Sequence, residues 1–420
     1  MSGILRILKA TELRNRILVV IFLLLVFRVF AAIPIPGVDL SSLESFFQNN
    51  QLLGLLNIFS GGALSNLSVA MLGVAPYITA TIIFQLLTMI FPRLKEMYYE
   101  EGAAGRAKFN RYSRWLTVPL AIFQAYGFLK LLASQNVIIE TGLGTTLINV
   151  LVITAGSMIL MWIGEIITEK KIGNGISLII FAGIVSGLPN IIQTSIASYQ
   201  SGTLGIDAIV AFIIVSIIVI AGVVLINEGE RKIPVSYAKR IRGDRMYGGV
   251  SSYLPLRINQ AGVIPIIFAI SILLFPQFIG QMALTVSDTI GTKINDFVQG
   301  FFNNQALYGL IYFILVFVFT YFYTAITFDP KEISKNLQRS GGFIPGVRPG
   351  EPTAAFLGSI VKRITFFGAI FLGLIAVLPT VTQILTNIQS LTIGGTALLI
   401  VVSVALETTK QVNAELAIRE

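Results

Sequence analysis

The side chains that could do chemistry inside the apolar parts of this chain are few. Ionisable residues occur in or beside the long apolar segments at Arg28, Lys130, Glu165 and Glu407. Such groups at membrane depth usually mark proton or ion pathways. All four lie near the ends of their apolar segments, where a long side chain can reach the interface. The sequence therefore gives little support for an ion-coupled mechanism.

The 420-residue chain contains neither His nor Cys. Ser-His and Cys-His dyads, His-ligated zinc and disulfides are therefore excluded. Neither G-x-x-x-x-G-K-[ST] nor G-x-G-x-x-G, the glycine loops that bind phosphate, occurs in it. We expect no catalytic residue, no metal and no cofactor, so the protein is not expected to be an enzyme. A partner or a gradient must then supply the energy for any work.

One short pattern, Gly-Val-x-Pro-x-Ile, occurs twice, at residues 73–78 and 262–267. A proline within a helix removes a backbone donor and kinks or loosens the helix. Two matching proline-interrupted helices, one in each half, predict a duplicated fold with its working site between the halves. Chance recurrence is the alternative, because these residue types are common in membrane helices. In the first copy Ile78, Thr79, Thr81, Ile82 and Gln85 suit a narrow apolar constriction that excludes ions.

The composition is that of a polytopic membrane protein. The chain is 55% hydrophobic and 12% charged, whereas soluble proteins carry roughly 25% charged residues. A span needs about 20 mostly apolar residues, and this standard predicts ten transmembrane helices. They cover residues 17–33, 70–91, 115–133, 147–167, 176–197, 207–226, 260–280, 306–327, 363–381 and 390–407.

Charge predicts the orientation of these spans. Of the 30 Lys and Arg, 27 fall in the two terminal tails or in residues 92–114, 168–175, 227–257 and 328–363. The positive-inside rule makes these segments and both termini cytoplasmic. Five spans per half is an odd number, so the halves 1–200 and 201–420 must cross in opposite directions, as an inverted repeat. A weaker match supports this, because Ile180 and Ile400 each follow a glycine-rich segment by five residues.

Residues 52–67 form a segment too short and too polar to cross. The segment is apolar at first and then rich in Gly, Ser and Asn. We expect a short re-entrant helix folded into the bundle, since non-helical backbone at membrane depth must be covered. An ordinary surface loop is the alternative.

Two predicted cytoplasmic loops, 227–257 and 328–363, are longer than topology requires. Both are basic, and the second contains a tip rich in Gly and Pro at 340–350. Long structured loops are usually functional, so we expect docking sites for a large polyanionic or acidic partner. A simple topology signal beside anionic lipid is the alternative.

Several long motifs, in order along essentially the whole chain, resemble the SecY/Sec61-alpha family of protein-translocation channel subunits. They are 33–37 (IPIPG), 73–87 (GVAPYITATIIFQLL), 101–102 (EG), 172–189 (IGNGISLIIFAGIVSGLP), 259–268 (NQAGVIPIIF) and 342–352 (GFIPGVRPGEP). The resemblance implies an hourglass channel made of two inverted five-helix halves. Such a channel passes unfolded preproteins across the membrane and releases membrane helices sideways into lipid.

The resemblance also implies roles for individual residues. The pore ring falls on Ile78, Ile82, Ile180, Ile267 and Ile400. The plug falls on Asn57, Ile58, Phe59, Ser60, Gly61, Gly62, Ala63, Leu64, Ser65, Asn66 and Leu67. The lateral gate includes Pro76, Thr79, Gln85, Asn259, Gln260 and Pro265. The partner-docking loops include Arg231, Lys232, Lys239, Arg240, Arg242, Arg245, Gly346 and Arg348.

Partners follow from the same resemblance. They are small membrane subunits like SecE and SecG, a SecA motor ATPase, the ribosome, signal peptides, the translocating polypeptide and membrane lipids, but not DNA. The location implied is the bacterial cytoplasmic membrane. The main rival function is a small-solute secondary carrier with inverted repeats, which should have a buried acid or a polar pocket at the midplane. An intramembrane protease would need a dyad that this chain lacks.

Overall fold

The computed structural model describes residues 10–36, 57, 60, 62–64, 66–134, 138, 142–202, 205–237, 240–242, 245–247, 251–286, 288–386 and 394–417. Over these residues the chain is mostly α-helical, as predicted. The first seven helices are α1 (Thr11–Ala32), α2 (Ala75–Ile90), α3 (Pro92–Tyr99), α4 (Gly102–Ser134), α5 (Leu143–Glu169), α6 (Gly175–Gln200) and α7 (Ile206–Glu228). The others are α8 (Ile264–Val286), α9 (Asp288–Asn303), α10 (Gln305–Thr327), α11 (Pro330–Arg339), α12 (Glu351–Thr386) and α13 (Gly394–Ala417).

Each predicted span coincides with a helix, namely α1, α2, α4 to α8, α10, α12 or α13. Among the described residues, seven helical segments are long and apolar enough to cross a membrane. The pair α2 and α3, bent by 116°, adds an eighth if it counts as one span. The predicted windows 70–91 and 260–280 were too long, because residues 70–74 and 260–263 form turns and bends. The chain is a multi-pass membrane protein.

Pro76 and Pro265 do not interrupt helices, so the predicted kinks are wrong. Each is the second residue of its helix, in α2 and in α8. A proline in the first turn costs no hydrogen bond, because the N–H groups there have no intrahelical acceptor. The glycines ahead of them, Gly73 and Gly262, have φ angles of 56° and 61°. Glycine adopts such left-handed angles without strain, which lets the chain turn sharply into each helix.

The two copies of the pattern also share a hydrogen bond. The Ile78 N–H donates to the Val74 carbonyl at 3.1 Å, and the Ile267 N–H donates to the Val263 carbonyl at 3.4 Å. Both copies therefore have the same local structure: a glycine with a left-handed φ angle, a proline in the first helical turn and an isoleucine at the end of that turn. This agreement in backbone geometry supports duplication over chance recurrence.

Two helices begin well before the predicted spans. Helix α4 starts at Gly102 rather than 115, and α12 starts at Glu351 rather than 363. For α12 the sequence explains the early start, since Glu351 suits the positive end of the helix dipole and Pro352 is tolerated in the first turn. Hydropathy marks only the apolar middle of such helices, so their polar ends were missed.

A small sheet, which was not predicted from the sequence, joins the two long basic loops. The strands are β1 (Glu230–Tyr237), β2 (Arg240–Arg242), β3 (Arg245–Tyr247), β4 (Ser251–Arg257) and β5 (Gly342–Phe343). Strands β4, β1 and β5 form one antiparallel sheet in that order, while β2 pairs only with β3. Because β5 comes from the second loop, the two loops form one unit.

Two hydrophobic clusters hold these parts together. The larger contains residues of the helical bundle and of the turns before α2. The smaller lies between the sheet and α12 and contains Ile233, Val235, Leu256, Ile344, Leu357, Ile360 and Val361. The sheet is therefore packed on the end of α12 rather than extending freely from the bundle.

Candidate functional site

The five isoleucines predicted for the constriction come from four helices. Ile78 and Ile82 lie on α2, Ile180 on α6, Ile267 on α8 and Ile400 on α13. All five belong to the larger hydrophobic cluster, and their exposed fractions lie between 0% and 9%. We call them the isoleucine cluster. Branched apolar side chains gathered in this way can exclude water and ions by dewetting.

Helix α8 packs against both α2 and α4, so the two proline-bearing helices are in contact with one another. Phe123 of α4 stacks on Phe275 of α8, with ring centroids 6.5 Å apart. Offset aromatic packing of this kind is favourable but involves no hydrogen bond. A contact held by such packing can separate without leaving polar groups unpaired.

The predicted gate residues are spread along this contact and beyond it. Thr79 donates its hydroxyl to the Ala75 carbonyl of its own helix at 3.0 Å. The side-chain oxygens of Gln85 and Gln260 are buried with no hydrogen-bond partner among the described residues, which costs about 1–3 kcal/mol per group. Pro76 and Pro265 start their helices, and Asn259 hydrogen-bonds to Asn227 at the end of α7.

The described residues of the predicted plug are packed into the bundle. Ala63, Leu64 and Leu67 are buried in the larger cluster. The Ser60 hydroxyl donates to the Asn57 carbonyl and accepts from the Leu64 N–H, both at 3.0 Å. Here the described residues form turns rather than the expected helix, apart from Asn57, which is helical. Ile58, Phe59, Gly61 and Ser65 lie outside the described residues.

The end of the plug segment is tied to the chain that follows α1. The Ile35 N–H donates to the Leu67 carbonyl and the Val69 N–H donates to the Ile33 carbonyl, both at 2.9 Å. The Asn66 amide donates to the Ala31 carbonyl at 3.3 Å. Arg28 also lies beside the plug, since its Nη1 would be 3.8 Å from a Cβ placed on Gly62.

The described basic docking residues occur at three places: on β1, on the turn between β5 and α12, and on the β2–β3 pair. Arg231 and Lys232 lie on β1, where Lys232 Nζ is 3.4 Å from Glu230 Oε1. Arg348 is exposed on the turn between β5 and α12, and its carbonyl accepts a hydrogen bond of 2.8 Å from the Thr353 hydroxyl. Gly346 in the same turn has a φ of 83°. Arg240, Arg242 and Arg245 lie on β2 and β3, whereas Lys239 is outside the described residues.

Comparison with known proteins identifies this architecture. The model of the SecY family matches residues 68–409. A protein translocase subunit SecY of Mycobacterium bovis is 43% identical over 99% of this chain and 98% of its own length. The chain belongs to the SecY family. The SecY translocase subunit of Pseudomonas aeruginosa is 41% identical over 97% of this chain and 91% of its own length.

Solved structures agree on the fold of this SecY family member. A protein-conducting channel matches with a TM-score of 0.63 and 20% identity, over 94% of this chain and 91% of that chain. Sec61 from the canine ribosome–channel complex matches with a TM-score of 0.61 and 19% identity, over 94% and 91%. The fold is that of the SecY/Sec61 channels, as the sequence predicted.

Other features of this SecY family member were not predicted from its sequence. Glu165, which lies near the end of its apolar segment, pairs with Arg114 of α4 at 3.1 Å. Asn227 and Ser403, 176 positions apart, hydrogen-bond to each other. No spacing rule connects residues so far apart. Only the polar character of Asn227 and Asn259 beside apolar spans could have drawn attention to them.

Proposed function

We propose that this SecY family member is a protein-conducting channel that passes unfolded preproteins across the membrane and releases membrane helices into it. The observation that carries the proposal is the isoleucine cluster, in which one apolar residue set from four helices is buried beside the plug segment. A matching relative is itself a protein translocase subunit. No enzymatic step is required of the chain.

The chemistry of this cluster suits a pore that must accept any sequence. Isoleucine side chains offer no hydrogen bond that a moving polypeptide would have to replace. A narrow constriction lined by such side chains dewets and so excludes ions. The plug segment then adds a second closure, with Ala63, Leu64 and Leu67 in the same cluster.

The contact of α8 with α2 and α4 is the sideways exit in this proposal. It is made at least in part by apolar and aromatic side chains, among them Phe123 and Phe275. Their replacement by lipid or by an apolar client helix loses no hydrogen bond. Pro76, Thr79, Gln85, Asn259, Gln260 and Pro265 are the gate residues proposed on the family resemblance.

Partners drive the transport, because the chain itself carries no nucleotide-binding loop. We assign Arg231, Lys232, Arg240, Arg242, Arg245, Gly346 and Arg348 to docking of a SecA-like motor or the ribosome. One structural neighbour, Sec61, comes from a ribosome–channel complex. Small subunits like SecE and SecG complete the channel. The proposed location is the bacterial cytoplasmic membrane, with both termini in the cytoplasm, as the basic loops require.

The rival function, an ion-coupled carrier, finds less support. Among the described residues, the buried polar side chains are those of Ser, Thr, Asn, Gln and Tyr, with no buried Asp, Glu, Lys or Arg among them. Carriers usually hold an ionisable group at membrane depth for coupling. Glu165, the acid closest to this requirement, is already paired with Arg114.

Reconstitution tests the proposal directly. The chain is placed in proteoliposomes with its small subunits, a motor ATPase and a preprotein carrying a signal sequence. We expect ATP-dependent protection of the preprotein from added protease. Preprotein that stays fully accessible with an active motor would overturn the proposal, and uptake of a labelled small solute under an ion gradient would favour the carrier instead.

A further inference from the structure

A chain of buried amide and hydroxyl groups lies where α7 ends and α8 is about to begin. The Asn259 amide donates to the Asn227 side-chain oxygen at 2.8 Å and to the Gly262 carbonyl at 3.1 Å. The Asn227 amide in turn donates to the Ser403 hydroxyl of α13 at 2.7 Å. Asn259 and Ser403 are buried. Three separate parts of the sequence therefore meet through one continuous chain of hydrogen bonds.

A charged pair joins the same two helices, α7 and α13. Lys410 of α13 contacts Glu228, the last residue of α7, at 2.8 Å. Helix α13 is thus linked to the start of the β1–β4 hairpin, at Glu228 just before β1.

The β1–β4 hairpin connects these residues to the three-stranded sheet β4-β1-β5, which we call the docking sheet. Strands β1 and β4 pair from Glu230 and Arg257 up to Ser236 and Ser251. The Ile258 N–H closes the base by donating to the Gly229 carbonyl at 2.9 Å. The hairpin base is thus a stiff connection, because its two strands are cross-linked from the first residue. Asn227 comes two residues before Gly229, and Asn259 comes directly after Ile258, so both flank the base of the hairpin.

Two of these residues lie near members of the isoleucine cluster: Ser403 near Ile400, and Asn259 near the start of the helix that carries Ile267. Ser403 follows Ile400 by three positions on α13, which is just under one helical turn. Asn259 holds the carbonyl of Gly262, the left-handed residue from which α8 starts. Ile267 lies in the first turn of α8. Asn259 and Ser403 therefore fix the starting position of one cluster-bearing helix relative to another.

We infer that Asn227, Asn259 and Ser403 are positioning residues that hold Ile267 and Ile400 in register and relay movement of the docking sheet to the isoleucine cluster. This inference rests on the proposed channel function. The three residues contact neither the client polypeptide nor the partner in this role.

Conductance of the reconstituted channel, without motor or ribosome, tests the positioning role. Asn259→Ala removes the donor to the Asn227 oxygen and the Gly262 carbonyl, and Ser403→Ala removes the acceptor of the Asn227 amide. We expect ion leak to rise about tenfold in each, equivalent to about 1.4 kcal/mol. Ser403→Thr keeps the hydroxyl acceptor and should leak like the natural chain. Asn413→Ala, at an exposed position on the same helix, is the matched control.

Motor binding and translocation test the relay. The docking residues are unchanged in these variants, so motor affinity should stay the same while translocation per bound motor falls. Leak at the natural level in both alanine variants, or an equal rise in Asn413→Ala, would overturn the positioning role. If Asn259→Ala fails to fold, the Ser403→Ala and Ser403→Thr pair gives the decision. Failure of the natural chain to translocate would instead count against the proposed function, since leak is measured without partners.

Discussion

At the scale of single residues, the isoleucine cluster makes the clearest prediction. Ile82 is 2% exposed and belongs to the cluster, whereas Ile90 at the end of the same helix is 69% exposed. A hydroxyl at position 82 gives water a hydrogen-bond partner at the proposed constriction. We expect Ile82→Ser to raise ion conductance in planar bilayers about tenfold, as a barrier lowered by about 1.4 kcal/mol would.

The control for this prediction is Ile90→Ser, which makes the same chemical change outside the cluster. It should leave conductance near the natural level. Both variants must first elute from size exclusion like the natural chain. Natural conductance in a folded Ile82→Ser variant would contradict the assignment of Ile82 to the seal.

Gly156 makes a second prediction, about packing beneath the plug. A Cβ on Gly156 of α5 would overlap the carbonyl oxygen of Val69, which follows the plug segment. Gly144, on the same helix, has open space around it. We expect Gly156→Ala to lower the free energy of unfolding in detergent by about 1–3 kcal/mol. Gly144→Ala should instead stabilise the helix, by about 0.5–1 kcal/mol. Equal stability of the two variants would refute the close approach.

These two residues also show how far sequence reasoning reaches at this scale. Ile82 could be predicted, because it lies inside a long motif of the family. Gly156 could not, since its requirement for glycine comes from a carbonyl 87 positions earlier in the chain. The same holds for Ser403, whose partner Asn227 is 176 positions away in the sequence.

At the scale of elements, the repeated pattern was correctly located but its physical role was misread. Proline was expected to loosen two helices from within, yet Pro76 and Pro265 start α2 and α8. Hydropathy could not separate the apolar turns before these helices from the helices themselves. The sheet was missed for a different reason. Ile233 and Val235 alternate with exposed residues in β1, but strand β5 is supplied by a distant loop.

The contact between α4 and α8 makes a prediction at this scale. The natural chain has no Cys, so Phe123→Cys combined with Phe275→Cys introduces the only two thiols. The replaced rings lie 6.5 Å apart, within reach of a short thiol-reactive bridge. Bridging should prevent α8 from separating from α4. We expect insertion of a client membrane helix to fall by more than translocation of a secreted segment. The reason is that an inserted helix must leave the channel between α4 and α8, whereas a secreted segment passes straight through.

The control is each single cysteine variant treated with the same reagent, which should insert and translocate like the untreated protein. Full insertion activity in the bridged double variant would show that clients leave the channel by another route.

At the scale of the whole molecule, hydropathy located the spans and charge placement grouped the two long loops. The basic segments 227–257 and 328–363 were expected on one side, and the structure joins them in one sheet. Because β5 of the second loop pairs with β1 of the first, the two predicted docking loops share one surface. What charge could not predict is how this surface is connected to the bundle, through the smaller hydrophobic cluster on α12 and through Asn227 and Asn259 below the hairpin.

The exposed tip of this surface makes the last prediction. Arg348 is exposed on a turn that is held by the Thr353 hydroxyl and shaped by Gly346. A guanidinium on a preorganised turn can pair with carboxylate or phosphate at little cost in entropy. Arg348→Glu should therefore weaken motor binding about tenfold at low salt, with a smaller loss at high salt. Assembly with the small membrane subunits should be unchanged. Arg339→Glu makes the same charge reversal at an exposed position of α11. If both variants lose the same affinity, the basic surface attracts the motor by net charge alone; a larger loss for Arg348→Glu assigns recognition to the tip.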